Sequence, residues 1–178
     1  MTRVAILSME NKKGKIPAVF FDRDGTLNVD TGYLHEQEKL QWMPGAREAV
    51  KYVNDRGYLA IVVTNQSGVA RGMFGEEAVK ELHGYMNEEL AGVGAHIDAF
   101  YYCPHHPEAV VPEYRQECSC RKPKSGLIEQ ACRDFDIDME KSLMVGDSPR
   151  DVTCGEGAGI RGVLYEGGSL LELLKQYI

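Results

Sequence analysis

Five short apolar runs recur along the chain, and segments with helical periodicity separate them. They read PAVFFD (17–22), YLAIVVTN (58–65), IDAFYYC (97–103), SLMVGD (142–147) and RGVLY (161–165). The first is continuously apolar up to its acid, as a strand buried on both faces of a parallel sheet is. Between the runs, Pro44 and Gly45 open a pattern that places Ala46, Ala49, Val50 and Val53 on one face, and Gly57 closes it. Residues 76–91 carry a second stripe of Ala78, Val79, Leu82, Tyr85, Met86 and Leu90. Further helices are expected over 126–135, from Pro149, and over 169–176. Strands alternating with helices in this way require right-handed βαβ crossovers, which predicts an α/β class with a doubly wound, Rossmann-like parallel sheet.

A length of 178 residues fits one compact domain. We assign residues 16–178 to it and 1–15, polar after a short apolar run at Val4–Leu7, to an N-terminal arm. A net charge of −7 argues against a general nucleic-acid surface, although it leaves room for a local basic pocket that takes an anion. No apolar stretch reaches the length of a membrane span, and the N-terminus lacks a secretory pattern. The five cysteines are odd in number and too sparse for a disulfide framework. A cytoplasmic, monomeric protein with free or metal-bound thiols is the expectation.

Three of the runs deliver polar groups to their C-terminal ends: Asp22 with Asp24, Thr64 with Asn65, and Asp147. A single Asp or Asn at a strand end needs no explanation beyond a turn. In an open parallel sheet, however, these ends border the ligand crevice. Three strands supplying acids and a hydroxyl to one edge favour a reaction centre.

The segments FFDRDGTLN, VVTNQSG, RKP and VGDSPRD resemble, in order, the four motifs of the haloacid-dehalogenase (HAD) phosphatases. The resemblance covers most of the chain from residue 18 onward. It implies a HAD-like hydrolase in which Asp22 attacks phosphorus and Asp24 serves as general acid and then general base. Thr64 and Lys122 would hold the oxygens of the transferring group. Magnesium would sit on Asp22, the backbone carbonyl of Asp24, and Asp147. Asp151 would be an outer carboxylate that orders the water of the ion. The bland alternatives are a helix cap for Thr64 and a solvated surface charge for Lys122.

The stretch CPHHPEAVVPEYRQECSC holds Cys103, His105, His106, Cys118 and Cys120, the donor inventory of a closed tetrahedral zinc site. Such a site would be structural, pinning a loop with little apolar material. The residues alone leave open a Cys118–Cys120 redox pair, and His106 in place of His105. The resemblance selects Cys103, His105, Cys118 and Cys120. Cys132 and Cys154 fall in helical patterns and read as buried, inert thiols. The short span from Thr64 to Lys122 leaves little room for a mobile cap domain, so a capless enzyme with an open site is expected.

Within the family, Thr64–Gly72 together with the cysteine loop resembles the branch that acts on heptose bisphosphates. The histidinol-phosphate branch, which shares the loop, is the alternative. The implied substrate contacts are Asp30, Thr31, Gly32, Tyr33, Asn65, Gln66, Ser67 and Arg121. A second phosphate would need a guanidinium away from the reacting centre, and Arg71 and Arg150 are also available. The chain departs from the family pattern after Asp147, where Ser148 replaces an often basic residue. The reading from another class, a zinc-organised binding module without activity, would require a missing motif residue, and none is missing.

Overall fold

The computed structural model describes residues 14–178, so the expected arm lies outside the described residues except for Gly14 and Lys15. The strands are β1 (Ala18–Phe21), β2 (Leu59–Asn65), β3 (Ala99–Cys103), β4 (Leu143–Gly146) and β5 (Arg161–Leu164). The helices are α1 (Ala46–Asp55), α2 (Glu76–Ala91), α3 (Gly126–Asp134), α4 (Pro149–Gly157) and α5 (Leu170–Leu174). All strand pairs are parallel, in the order β3-β2-β1-β4-β5. The doubly wound α/β architecture is as the alternating pattern predicts.

The pleat divides each central strand between two cores. Val19 and Phe21 of β1, with Ala60 and Val62 of β2, pack toward α1, α2 and α5. Ala18 and Phe20, with Ile61 and Val63, pack toward α3 and α4. All four residues of β1 are fully buried, which is why that run carries no polar residue until Asp22. Because β2 and β3 lie on one side of β1, and β4 and β5 on the other, the winding reverses at β1/β4. The crevice of an open sheet forms at that reversal, outside the strand C-termini.

Several boundaries differ from the sequence reading for local reasons. Strand β3 begins at Ala99 instead of Ile97, because Asn87 takes both backbone groups of Ile97, at 2.7 and 3.0 Å. Helix α5 is confined to Leu170–Leu174, with Ser169 outside it as the cap that accepts from the Glu172 N–H. In α2, Ala78 and Tyr85 are only half-buried, and His83 takes a place in the stripe beside Val79, Leu82, Met86 and Leu90. Its ring stacks on Phe100 of β3 with centroids 4.3 Å apart. Cys132 is half-buried, whereas Cys154 is buried as expected. Among the described residues, no insertion forms a folded cap; the long β3–α3 connection holds only one 3-10 turn, Pro112–Tyr114.

The α4–β5 contact is close enough to dictate a glycine. A Cβ on Gly162 would lie 2.7 Å from Val152 Cγ1 and 2.8 Å from both Cα and the carbonyl oxygen of Val152. We therefore expect Gly162→Ala to destabilise the protein by about 1–3 kcal/mol. Urea unfolding should show a lower midpoint at constant slope, and an unchanged midpoint would contradict this packing.

Candidate active site

The chain leaves β1 through a turn that the sequence fixes tightly. The Gly25 N–H donates to Asn28 O at 2.7 Å, and the Leu27 N–H donates to Arg23 O at 2.9 Å. Gly25 sits at φ +86°, and a Cβ there would lie 2.3 Å from an Asp147 carboxylate oxygen. Only glycine permits this turn to approach the end of β4. Asp22 and Asp24 are thereby brought to the same cavity as Asp147, a polar recess of about 420 Å³.

Lys122 enters the site from the end of the cysteine loop. Asn65, at the end of β2, fixes its backbone: Asn65 Oδ1 accepts from the Lys122 N–H at 2.9 Å, and Asn65 Nδ2 donates to Lys122 O at 3.2 Å. The Lys122 ammonium is buried and donates to Asp22 Oδ1 at 2.7 Å and to Val63 O at 2.9 Å. It also lies 2.7 Å from Asp151 Oδ1. Asp151 is itself fully buried, and its other oxygen accepts from the Ser148 N–H at 3.0 Å, which caps α4. Ser148 thus occupies a helix cap at the position where the family pattern often has a basic side chain.

This charge arrangement is uneven. Burial raises the pKa of Asp22, and the Asp151 and Asp24 charges add to it against the opposing pull of Lys122. Burial and the neighbouring Asp22 likewise raise Asp147. Burial alone would lower Lys122, but its two carboxylate partners outweigh that and raise it. Carboxylate oxygens of Asp22, Asp147 and Asp151 lie within 4.8 Å of one another. Such a set of crowded, hard oxygen donors fits a divalent cation such as magnesium.

Thr64 and Gln66 complete the floor. Gln66 Nε2 donates to Thr64 Oγ1 at 2.9 Å and to Asp24 Oδ2 at 3.0 Å. Gln66 and Asn65, both expected as substrate contacts, line the cavity while also bracing neighbouring site residues. Asp30, Gly32, Tyr33, Ser67 and Arg121 line the cavity as well; Thr31 is exposed and does not. Arg71 and Arg150 reach its rim. The loop 30–35 is held against the loop after β2 by the Arg71 guanidinium, 5.5 Å over the Tyr33 ring, and by His35 stacked on Phe74.

The cysteine cluster lies beyond β3, whose last residue is Cys103. Donor atoms of Cys103, His105, Cys118 and Cys120 lie within 4.8 Å of one another, and no two of the cysteines are joined as a disulfide. His106 is elsewhere, its Nδ1 accepting from the Glu108 N–H at 3.0 Å. Cys120 Sγ lies 2.9 Å from Cys103 Sγ. That contact lowers the pKa of Cys120, and the same contact together with burial raises that of Cys103. A readily formed thiolate among soft donors fits zinc.

The sequence reading passed over Arg23 and His83. Arg23, between the two acids, is fully buried, and its guanidinium contacts Asp24, Gln66, His83 and Leu34 O. The signal for His83 was its spacing, four residues after Val79 and three before Met86, which sets it in the apolar stripe.

A doubly wound sheet with this acid, hydroxyl and lysine constellation at its switch point defines a HAD-like phosphatase. A family model described as HAD-hydrolase-like matches residues 119–174. The D-glycero-beta-D-manno-heptose-1,7-bisphosphate 7-phosphatase of Rhodopseudomonas palustris is 43% identical over 162 residues, covering 91% of this chain and 90% of its own. The enzyme of the same name from Haemophilus ducreyi is 48% identical, covering 81% of this chain and 79% of its own. The crystal structure of a D,D-heptose 1,7-bisphosphate phosphatase from B. bronchiseptica, complexed with magnesium and phosphate, superposes with a TM-score of 0.77. It has 31% identity and covers 90% of this chain and 87% of that one. The chain belongs to the family of D-glycero-beta-D-manno-heptose-1,7-bisphosphate 7-phosphatases.

Burial and the adjacent Arg23 guanidinium lower the pKa of His83 from 6.5 to about 3. The unfolded chain therefore binds a proton near pH 6.5 that the folded chain refuses until about pH 3. This contribution to stability is complete above pH 6.5 and is lost as pH falls toward 3, by about 1.4 kcal/mol per unit for the one group. Urea midpoints of wild type and His83→Gln, compared from pH 7 to 4, should converge on acidification. Parallel curves would contradict a neutral, buried His83.

Proposed function

We propose that the chain hydrolyses the 7-phosphate of D-glycero-β-D-manno-heptose 1,7-bisphosphate, in bacterial ADP- or GDP-heptose synthesis, as a cytoplasmic monomer with residues 16–178 acting as one domain. The observation that carries this reading is the meeting of Asp22, Asp24, Thr64 and Lys122 in one polar cavity whose rim holds guanidinium groups. The names of the matched relatives support the heptose substrate over histidinol phosphate, and they specify the beta anomer.

In this reading an Asp22 carboxylate oxygen attacks phosphorus in line with the sugar oxygen. The bond from phosphorus to the sugar oxygen breaks, and Asp24 passes its proton to that oxygen. The resulting aspartyl-phosphate is cleaved by water, whose proton returns to Asp24 while the Asp22 carboxylate leaves phosphorus. Thr64 Oγ1 and Lys122 Nζ hold the phosphoryl oxygens through both displacements. Asp22, the Asp24 carbonyl and Asp147 would hold magnesium, which supplies neutralisation of phosphoryl charge when bound. Asp151 orients Lys122 and would order water beside that ion. Asp30, Gly32 and Tyr33, with Asn65, Gln66 and Ser67, shape the sugar subsite, and Arg121 takes the distal phosphate. Cys103, His105, Cys118 and Cys120 would hold a structural zinc that sets Arg121 and Lys122 against the cavity.

A comparison of kcat/KM across both heptose bisphosphate anomers and histidinol phosphate tests the substrate. The beta anomer should lead each of the others by at least about tenfold, a difference of about 1.4 kcal/mol in transition-state binding. A preference for histidinol phosphate would reverse the assignment. Protein purified without chelator should contain one zinc per chain, and its removal should raise KM more than it lowers kcat. Zinc-free protein with full affinity would contradict the zinc-set loop.

A further inference from the structure

Arg23 has no part in the chemistry described above, yet it is the largest fully buried side chain of the described residues. A buried guanidinium is expensive unless its charge is matched and its donors are used. Among the described residues, the carboxylate within ion-pair distance of it is that of Asp24. Nε lies 3.2 Å from Asp24 Oδ1, and Nη2 lies 3.0 and 3.1 Å from its two oxygens. Arg23 therefore grips the whole carboxylate and not one of its corners.

The guanidinium is itself anchored from three other parts of the fold. Nη2 donates to Leu34 O at 2.8 Å and reaches Gln66 Oε1 at 3.2 Å, and Nη1 lies 3.2 Å from His83 Nε2. For that last contact to be a hydrogen bond, His83 must present a bare Nε2 lone pair. Its burial beside a cation keeps the ring neutral, and the stack on Phe100 fixes the ring plane. Asn28 Nδ2 on Oδ1, at 3.0 Å, and Gln66 Nε2 on Oδ2 then complete the hold on Asp24. A side-chain network runs from the body of α2 through Arg23 to the carboxylate beside the cavity.

We propose that Arg23 is a positioning residue that aims Asp24 at the leaving sugar oxygen, and that His83 is the remote anchor that keeps Arg23 in place. The inference rests on the reading of Asp24 as the proton donor. Proton transfer demands alignment within hydrogen-bond reach, and a misplacement of about 1 Å is enough to cost about a hundredfold. The planar fork matters: lysine keeps the charge but cannot fix a carboxylate plane.

The test separates leaving groups. Heptose 1-phosphate leaves as a basic C7 alkoxide that needs a proton; nitrophenolate from p-nitrophenyl phosphate hardly does. First-turnover release of each is measured by rapid quench or stopped flow for wild type, Asp24→Asn, Arg23→Lys, His83→Phe and His83→Gln, on variants whose folding is checked by circular dichroism. His83→Phe keeps an aromatic ring for the stack on Phe100 and deletes the acceptor, whereas His83→Gln restores an acceptor. We expect Arg23→Lys and His83→Phe to lose at least about ten times more on heptose 1-phosphate release than on nitrophenolate release, with KM within about twofold. His83→Gln should recover most of that loss. If Asp24→Asn shows the split and neither Arg23→Lys nor His83→Phe does, the positioning role is overturned. If Asp24→Asn slows both releases equally, the reading of Asp24 as the acid fails, and the proposal with it.

Discussion

The site hangs on one buried ammonium. Lys122 holds Asp22, directly after β1, and Asp151 of α4, and it donates to the carbonyl of Val63 in β2. One ammonium between two carboxylates leaves one negative charge over, so removing Lys122 would leave two buried acids unmatched. Hydrogen bonds hold the cluster in place. Asn65 clamps the Lys122 backbone, and the Ser148 N–H takes the second oxygen of Asp151. Three secondary-structure elements are thereby registered to within hydrogen-bond distance at the edge where the sheet reverses its winding.

Around this centre the molecule keeps two tasks in different places. The floor, built from strand ends, carries groups suited to phosphoryl transfer, and the strands β1 and β4 behind it are buried throughout. The walls are loops, and each is fixed by a separate device: the Tyr33–Arg71 and His35–Phe74 contacts on one side, the cysteine cluster on the other. Open walls of this kind suit a soluble sugar phosphate, and their guanidinium groups suit a substrate with a second phosphate.

The sheet was legible in the sequence because its strands are short apolar runs, and three of the four motifs mark strand ends. The convergence of Asp22, Asp24 and Asp147 followed from topology alone. What stayed hidden depends on side chains reaching across the chain. Nothing local in IDAFYYC says that Asn87 will take the backbone of Ile97 and shorten β3. The family resemblance implies Asn65 and Gln66 as substrate contacts, but their bracing of Lys122 and Asp24 becomes visible only once the 57- and 42-residue separations are closed. Arg23 drew no reading between its two acids, and its burial depends on distant contacts, with His83 on α2 and the Leu34 carbonyl.

The central claim is that Asp22 carries the phosphoryl group between the two displacements. Rapid acid quench of wild-type protein during turnover of heptose bisphosphate, followed by borohydride reduction and peptide mass analysis, reads that residue directly. An acyl phosphate is reduced to the alcohol, so Asp22 should be recovered as homoserine, and the same treatment of Asp22→Asn should leave the peptide unmodified. Turnover with no reducible phosphoenzyme, or with the modification on Asp24 or Asp147, would contradict the account.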